Sequence, residues 1–466
     1  MSGNYQVVGL SEESKKPFLR QLHIASGVWA LFFMNGLCTG APTVFIPQLR
    51  RQANSTEYIN DELASWLYSL SNLSAIPWVF ILPSFTQSIG RKTPYLAACF
   101  AMSTCNIILY FSTNPYHILI AEALQGFVNA SNTSVLFHII PEYCNPIYRT
   151  MFLNIQSTSF YWGMWASNAI GTFCNWKYIP ILGFISSLYA ITVVCIPESP
   201  YWLASKKRFR ECETSHRWLR GTTNDAETQL HDLVKSQTEI KNKTVITFVR
   251  KEFYLPLMLA ILVSAQYIFS GKFVCSIYAI DIIKKITKNE DTAYIGMLIL
   301  DGITVVGMYV GSVLSTLKTR SSYLTLSFLS IGFMFTISLY LYLVKMGVVF
   351  ENNIISLCLL VAYSLVISVG PMIQSLSIYS EIIPVKYQRI SYMIASFTFL
   401  SSCTAMLKFS PYIFKEFGIH GSFLFYGISS GICTVLLYFY LPETNNKTLL
   451  EIEECFKDKS ETEPLR

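Results

Sequence analysis

Residues 197–203 read Pro-Glu-Ser-Pro-Tyr-Trp-Leu, and residues 442–444 read Pro-Glu-Thr. Each motif follows a long apolar run, the first near the middle of the chain and the second near its end. Short motifs that recur at the ends of matching apolar runs are typical of two homologous halves. The pair therefore predicts a chain built from two equivalent halves.

The composition excludes an ordinary soluble protein. Of the 466 residues, 52% are hydrophobic and 14% are charged, against roughly a quarter charged in soluble domains. Apolar runs long enough to cross a membrane, at about 20 residues each, lie at about residues 22–48, 62–88, 95–113, 116–140, 151–174, 178–196, 254–280, 292–317, 323–345, 354–380, 391–413 and 421–441. The chain is therefore predicted to be an all-α membrane protein with twelve transmembrane helices in two six-helix halves.

A charged segment separates the two sets of six runs. Residues 197–253 contain eleven Lys or Arg and eight Asp or Glu, with amphipathic stretches, and predict a solvated helical linker. The predicted organisation is an N-terminal tail over 1–21, a first half over 22–196, the linker over 197–253, a second half over 254–441 and a C-terminal tail over 442–466.

Lys and Arg set the predicted orientation. The short loops carry similar numbers of Lys and Arg on the two sides of the membrane. The tails and the linker, which all lie on one side, carry many more. Because positive residues are retained in the cytoplasm, both termini and the linker are predicted to be cytoplasmic in a multi-pass cell-membrane protein. Asn54 then lies in the first outside loop, in an Asn-Ser-Thr sequon that can accept a glycan.

Charged residues recur at matching span ends. Glu142 and Arg149 follow the fourth apolar run as Glu381 and Arg389 follow the tenth. Such charges at the membrane edge are costly unless paired, so the sequence predicts an ionic latch between helices. The alternative is that each charge simply lies at the interface in contact with water.

Several motifs together resemble the sugar porter family of the major facilitator superfamily. The matching stretches are Gly90-Arg91-Lys92, Pro141-Glu142 with Arg149, residues 197–203, and Pro442-Glu443-Thr444 continuing through Lys447-Thr448-Leu449 to Glu451-Ile452-Glu453. Ala64-Ser65-Trp66 and Trp218-Leu219-Arg220-Gly221 are most similar to insect facilitated trehalose transporters.

The resemblance implies a twelve-helix carrier that moves a sugar by alternating access. It also implies an inner gate, or latch, that closes the cytoplasmic side when the outside is open. The residues that carry over to this latch are Arg91, Glu142, Arg149, Glu198, Glu381, Arg389 and Glu443.

The sequence also departs from the family pattern. Gln87 and Ser88 replace the acidic and basic residues expected before Gly90, and Glu122 stands where the family has an arginine. Several pocket polar residues are missing as well. The remaining candidates for the substrate cavity are Gln156, Ser157, Gln266, Tyr267, Ser270, Phe273 and Tyr278.

Two charges fall near the middle of the membrane. Lys272 lies nine residues before Asp281, and Asp301 lies ten residues after Asp291. At 1.5 Å per residue both are roughly 13 to 15 Å below the outer boundary, so we predict an intramembrane ion pair between Lys272 and Asp301. The alternative is that each faces a water-filled cavity without touching the other. Gly163 and Gly171 of the fifth span are expected to allow close helix packing rather than to contact substrate.

The function predicted first is a facilitative carrier for trehalose or a hexose. The alternatives are a non-transporting sensor or binding protein, and a carrier of a less polar solute. A proton-coupled symporter would need a carboxylate in span one to take up the proton. Residues 22–48 contain no Asp or Glu.

An enzyme is not expected. The six histidines show no metal-ligand spacing, and no nucleophile elbow, phosphate loop or dinucleotide motif is present. No metal, cofactor or nucleic-acid partner is predicted, and the expected partners of the monomer are a small sugar and the lipid bilayer.

Overall fold

The computed structural model describes residues 12–53, 57–239, 251–314, 319–383, 388–443 and 456. Within those residues the regular structure is helical and contains no strand. Asn54, the predicted glycosylation residue, lies outside the described residues.

Nineteen α-helices are found in the described part of the chain. Those of the first half are α1 Glu12–Gln52, α2 Asp61–Ile89, α3 Lys92–Phe111, α4 Pro115–Ser131, α5 Phe137–Tyr143, α6 Pro146–Phe173 and α7 Tyr178–Ile191. Those between the halves are α8 Pro200–Ser205, α9 Phe209–Arg220 and α10 Asn224–Glu239. Those of the second half are α11 Lys251–Phe269, α12 Lys272–Ile277, α13 Ala279–Thr287, α14 Glu290–Leu314, α15 Thr319–Lys345, α16 Asn353–Ile367, α17 Ile373–Ile382, α18 Gln388–Glu416 and α19 Gly418–Tyr440.

These helices form the twelve predicted spans. The fourth span is α4 joined to α5 by a π-turn, the seventh is α11 to α13, and the tenth is α16 joined to α17 by a second π-turn. Ten helical segments of the described residues are long and apolar enough to cross a membrane. The fourth and fifth spans are not among these ten. The fifth, α6, carries many polar residues, which lower its hydropathy. We call the face with α8 to α10 the inner face and the opposite face the outer face.

The first span differs from its prediction. The apolar run covers 22–48, whereas α1 begins at Glu12 and ends at Gln52. The helix exceeds the apolar run because its backbone hydrogen bonds continue past the hydrocarbon layer, where charged side chains are solvated. The predicted tail over 1–21 is therefore helical from residue 12.

The seventh span breaks at Gly271. Its φ of +73° is left-handed, and an added Cβ would lie 2.5 Å from the ring of Tyr426. Only glycine combines this conformation with such close contact. A new helix, α12, starts at the next residue, Lys272, so its direction is set separately from that of α11.

The fourth and tenth spans each contain a π-turn, at Asn132–Leu136 and Ser368–Met372. A π-turn interrupts the regular i to i−4 hydrogen bonds of an α-helix. Inside a membrane there is no water to bind the carbonyl groups that lose their partners. Hydroxyl groups supply hydrogen bonds here: Thr133 donates to Ala130 O at 3.1 Å, and Ser368 donates to Ser364 O at 2.6 Å.

The closest packing in the first half is between α1 and α6. A Cβ added at Gly36 would lie 1.9 Å from Phe160 O, and one at Gly163 would lie 2.0 Å from Phe33 O. At Gly171 the added Cβ would lie 2.3 Å from a methyl group of Val44. The prediction that Gly163 and Gly171 serve packing is confirmed.

Helix α9 is docked on the first half. Arg20 Nη1 donates to Trp218 O at 2.8 Å, and Gln21 Nε2 donates to Leu219 O at 3.0 Å. These side chains of α1 bind carbonyl groups of the last turn of α9, which have no partner within the helix. Arg220 adds a bond to Cys144 O at 3.2 Å. The segment between the halves is thus attached to the inner end of the first half.

We expect Gly163→Ala to destabilise the protein by about 1 to 3 kcal/mol, because the new methyl group meets a backbone carbonyl that cannot rotate away. Thermal unfolding of detergent-solubilised protein measures the effect. Gly332→Ala in α15 is the matched control, since nothing lies within 4 Å of its added Cβ. Equal melting temperatures for the two variants would contradict this account of the α1–α6 contact.

We expect the docked α9 to loosen as the pH falls. His216 is buried, and burial, aided by nearby Arg220, lowers its pKa from 6.5 to about 4. Because the folded pKa lies below the unfolded one, the stabilisation is complete above about pH 6.5 and decreases as the pH falls toward about 4. Hydrogen exchange of α9 amides, corrected for intrinsic rates, measures this.

The His216→Gln variant should lose that pH dependence. His231→Gln, at an exposed position of α10, is the control and should keep the pH dependence. If amide exchange of α9 in the His216 variant depended on pH as it does in the wild type, His216 would not be the group responsible.

Candidate functional site

Four residues form a polar cluster at the inner face of the first half; we call Arg91, Glu142, Glu198 and Ser199 the inner charge cluster. The Arg91 guanidinium donates to Glu142 Oε1 from Nε at 3.0 Å and from Nη2 at 2.8 Å. Ser199 Oγ donates to the other oxygen of Glu142 at 2.6 Å. The ends of spans two, four and six are therefore tied together by charge-assisted bonds.

Glu198 binds mainly backbone groups. Its Oε1 accepts the N–H groups of Arg91 and Ser199, each at 2.9 Å, and the Tyr143 hydroxyl at 3.2 Å. Gly90 must be glycine at this place, because its φ is +108° and an added Cβ would lie 2.3 Å from Glu198 Oε2. The glycine of the Gly-Arg-Lys motif is thus explained by the carboxylate of the Pro-Glu-Ser motif.

The second half repeats this contact. The backbone N–H of Arg320 donates to Glu443 Oε1 at 3.3 Å, as that of Arg91 does to Glu198. The Arg320 guanidinium also donates to Tyr438 O at 2.7 Å. The equivalence of the halves inferred from the two Pro-Glu motifs therefore extends to their geometry.

The predicted latch between the halves is only partly described. Arg149 Nη2 donates to Pro141 O at 3.1 Å, within the first half. The side chains of Glu381 and Arg389 lie outside the described part of the structure. A bond between the halves through these residues stays a prediction.

Two antiparallel helix pairs join the halves, and we call them the α6–α14 seam and the α2–α18 seam. Along the first, Asn154 bonds Ser312, Trp162 Nε1 donates to the Tyr309 hydroxyl at 3.1 Å, and Asn168 Nδ2 donates to Asp301 Oδ2 at 2.6 Å. From Asn154 to Asn168 is about 21 Å of helix. The halves are therefore in contact over most of the membrane depth on this side.

The α2–α18 seam closes the opposite side. Near the outer face Lys408 Nζ donates to Ser65 Oγ at 2.9 Å and lies 3.9 Å from the ring centre of Trp66. Nearer the inner face the rings of Phe80 and Phe397 lie 5.5 Å apart. Both seams thus hold the halves together at inner and outer levels.

Aromatic side chains meet at the centre of the membrane. The hydroxyl groups of Tyr161 and Tyr267 are 2.5 Å apart and bridge the halves, and the Tyr267 ring stacks on Phe399 at 6.4 Å. Met308 and Met372 pack beside the two tyrosines. The predicted candidate Tyr267 therefore belongs to a contact between the halves.

The other predicted residues of span seven have mixed positions. Gln266 is buried, and its Oε1 accepts from the Tyr323 hydroxyl at 3.2 Å. Ser270 Oγ donates to Tyr267 O, and Ser270 O accepts from the Tyr363 hydroxyl at 2.6 Å. Phe273 is half-buried in the central core.

Tyr278 closes the outer end of this span. Its hydroxyl donates to Leu407 O at 2.9 Å, and its ring lies 4.5 Å from that of Tyr68 in the first half. Thr43 Oγ1 adds a bond across the halves to Ile277 O at 2.9 Å. Tyr278 is thus a residue of the outer contact.

The candidates of span five lie on different sides of α6. Gln156 precedes Phe160 by one turn and shares the face that packs on α1, whereas Ser157 lies one residue around the helix, toward Tyr161. The Ser157 hydroxyl donates to Leu153 O at 3.2 Å. Of the two, Ser157 lies nearer the seam.

Sequence reasoning missed several polar residues. Gln125 of α4 donates to Asn35 Oδ1 at 3.0 Å and to Thr39 Oγ1 at 3.3 Å, both on α1. Asn168 and Tyr161 lie about two turns apart on α6, and both contact the other half. The unusual polarity of span five was the signal that could have indicated them.

Five buried amide side chains retain unused hydrogen-bonding atoms. Among the described residues these atoms have no partner: Gln125 Oε1, both amide atoms of Asn132 and of Gln156, Asn168 Oδ1 and Gln266 Nε2. A buried polar atom without a partner costs roughly 1 to 3 kcal/mol. Such atoms are expected where water or a polar solute is bound.

The predicted pair of Lys272 and Asp301 is not in direct contact. Lys272 Nζ donates to Ser364 Oγ at 2.8 Å, while Asp301 accepts from Asn168. Within the described residues no salt bridge of 4.0 Å or less joins the two charges. The reason is the break at Gly271, because Lys272 begins a new helix whose rotation the spacing of α11 does not determine. Both residues are buried.

Comparison with known proteins gives a family match over nearly the whole chain. The sequence profile of the family described as "Sugar (and other) transporter" matches residues 23–456. A facilitated trehalose transporter of Apis mellifera ligustica is 23% identical over 96% of this chain and 90% of its own length. A facilitated trehalose transporter of Polypedilum vanderplanki is 24% identical over 85% and 80%. Sugar transporter ERD6-like 6 of Arabidopsis thaliana is 24% identical over 84% and 81%.

Solved structures agree in fold. The proton:xylose symporter XylE of the major facilitator superfamily, bound to 6-bromo-6-deoxy-D-glucose, aligns with a TM-score of 0.76 at 15% identity, over 96% of this chain and all of that one. A partially occluded inward-open form of XylE from E. coli gives 0.74 at 15% identity, over 93% of this chain and 100% of that chain. The twelve-helix fold of two six-helix halves is thereby confirmed.

We expect Arg91→Ala to destabilise the protein by roughly 1 to 3 kcal/mol, because it leaves Glu142 half-buried without its cation. The melting temperature of the purified protein measures this. Arg208→Ala is the control: it removes an exposed pair with Glu211, which is expected to contribute less than about 1 kcal/mol. A melting temperature for Arg91→Ala as high as that of the control would show that the inner charge cluster does not stabilise the half.

Proposed function

The chain belongs to the sugar (and other) transporter family, and from that membership we propose that it is a facilitative sugar carrier that works by alternating access. The two halves turn against each other at the seams, so that a central site faces one side of the membrane at a time. The proposed cargo is trehalose or a hexose. No chemical step is involved, so the chain is proposed not to be an enzyme.

The observation that carries this proposal is the set of buried amides, present in both halves, that keep unused hydrogen-bonding atoms. A sugar must exchange its hydration shell for protein donors and acceptors when it enters a membrane protein. The free atoms on Gln156 and Gln266 are of the type that hydroxyl groups bind. The Tyr267 ring adds the apolar surface on which a sugar ring packs.

The proposed substrate-binding residues remain those expected from the sequence. They are Gln156, Ser157, Gln266, Tyr267, Ser270, Phe273 and Tyr278, with Tyr161, Gln125 and Asn168 added from the geometry. Tyr161 and Tyr267 must separate before the halves can turn. A sugar hydroxyl that replaces one tyrosine in that bond would couple binding to the movement.

We propose that the inner face is cytoplasmic and that the protein resides in the cell membrane. The excess of Lys and Arg on the tails and on 197–253 supports this orientation. Asn54 would then lie outside and could carry a glycan. The domain boundaries given above and a monomeric state are proposed with it.

A second candidate is a carrier for a less polar solute. Met308, Met372 and Ile373 pack beside the central tyrosines, which favours a cargo with apolar surface. A sugar linked to an apolar group would use both kinds of lining.

We expect purified protein in liposomes to equilibrate trehalose or glucose and to show counterflow. An imposed proton gradient should not raise the internal concentration above the external one. Fructose, a polyol and an aryl glucoside, tested in parallel, separate a plain sugar from a less polar cargo. Protonophore-sensitive accumulation would contradict passive transport and would direct attention to the buried carboxyl groups of Glu122 and Asp301.

Tyr267→Phe tests the central site. It keeps the stacked ring and removes the hydroxyl, so we expect a weaker apparent affinity, by about 5- to 15-fold for one hydrogen bond. Tyr309→Phe in the α6–α14 seam is the control, because it removes a hydroxyl from an exposed contact. Equal affinities in the two variants would contradict the proposed site. Sugar binding without counterflow would contradict the carrier function.

A further inference from the structure

Asp301 makes the outermost of the three side-chain contacts described along the α6–α14 seam, and it is the charged one of the three. The residue is 3% exposed and belongs to the second half, and its partner Asn168, fully buried, belongs to the first. Asn168 Nδ2 donates to the Asp301 carboxyl group at 2.6 Å. Opening the outer side of this seam requires this bond to break.

An anion in this position needs a nearby cation. A lone charge at such depth costs at least about 2.5 to 3.5 kcal/mol. Among the described residues no cationic group lies within 4.0 Å of Asp301. Lys272, which is 2% exposed, is the buried cation of the neighbouring helix α12.

Hydroxyl groups connect Lys272 to helix α14, next to Asp301. Lys272 Nζ donates to Ser364 Oγ at 2.8 Å. Ser364 Oγ lies 3.1 Å from Thr304 Oγ1 and 3.3 Å from Leu300 O. Leu300 and Thr304 are on α14, one residue before Asp301 and three after it. The ammonium group is therefore fixed to the turn of α14 that carries the carboxylate.

We propose that Lys272 is a positioning residue that keeps Asp301 charged and oriented toward Asn168, and that this hydrogen bond is the outer gate of the α6–α14 seam. The proposal rests on the proposed carrier function for the role of this bond in transport. It also gives the break at Gly271 a role. Lys272 follows directly on the segment with Tyr267 and Ser270, so a solute bound there can move the cation and release the gate.

The test measures access to the outer seam. In a protein in which the exposed Cys174 is replaced by serine, a cysteine replaces Thr172, one turn outward from Asn168 on α6. Its labelling by a membrane-impermeant maleimide is followed by peptide mass spectrometry. Asp301→Ala and Asn168→Ala should each raise the labelling rate about tenfold, the factor expected for loss of one charge-assisted bond. Asn168→Ala leaves both charges in place, so it stays informative if Asp301→Ala does not fold.

Lys272 is tested in the same assay. Lys272→Met should raise labelling like Asp301→Ala, and the double variant should show no further increase, because both changes remove the same bond. Lys272→Arg should restore near wild-type labelling.

A merely structural lysine would lower thermal stability in Lys272→Met without changing the labelling of residue 172. Wild-type labelling in both Asn168→Ala and Lys272→Met would overturn the proposal. The labelling assay needs no cargo, so it tests the gate separately from transport. If the variants are labelled as expected but the protein transports no sugar, the carrier function is refuted and the assigned hydrogen bond still stands.

Discussion

The carboxylate of Glu198 is the contact on which the order of the first half depends. It binds the backbone where spans two and three turn, the hydroxyl at the end of span four, and the start of the segment that follows span six. The carbonyl group of the same residue accepts the Ser215 hydroxyl of α9 at 2.7 Å. The side chain of Glu198 thus joins three chain segments at the inner face, and its carbonyl group adds a fourth. Glu443 makes the equivalent backbone contact in the second half.

The contacts within each half differ in kind from those between the halves. Within the first half, α1 and α6 meet backbone to backbone at glycine residues and leave no space for a methyl group. Between the halves, the seams rest on side chains: two hydroxyl groups, an amide with a carboxylate, and a lysine over an indole ring. Such contacts can break and form again singly, whereas the glycine contacts cannot separate without moving whole helices. The fold therefore contains two stiff bodies joined by replaceable bonds.

Much of this could be predicted from the sequence, because the membrane imposes a simple rule on composition. The spans followed from hydropathy, and the tight packing at Gly163 followed from the small-residue rule. The family resemblance assigned Arg91 and Glu198 to one inner latch, but the contact of Glu198 with the Gly90 turn was found only in the structure. Rotation about a helix axis could not be predicted. Gln156 and Ser157 are neighbours in sequence and lie on different sides of α6, and Lys272 faces Ser364 because a left-handed glycine precedes it. Such directions depend on breaks and on neighbouring helices, which the periodicity of a single span does not record.

The π-turns of spans four and ten also affect how the protein meets its membrane. At these turns side-chain hydroxyls already bind carbonyl groups, so the helix can kink there by exchanging one hydrogen bond for another, with no carbonyl group left facing lipid. A span that kinks easily can shorten its projection across the bilayer. Because mismatch between a span and its bilayer costs fractions of a kcal/mol per Å, a kink at each of these turns, one in each half, would be large enough to offset a difference of a few Å in bilayer thickness.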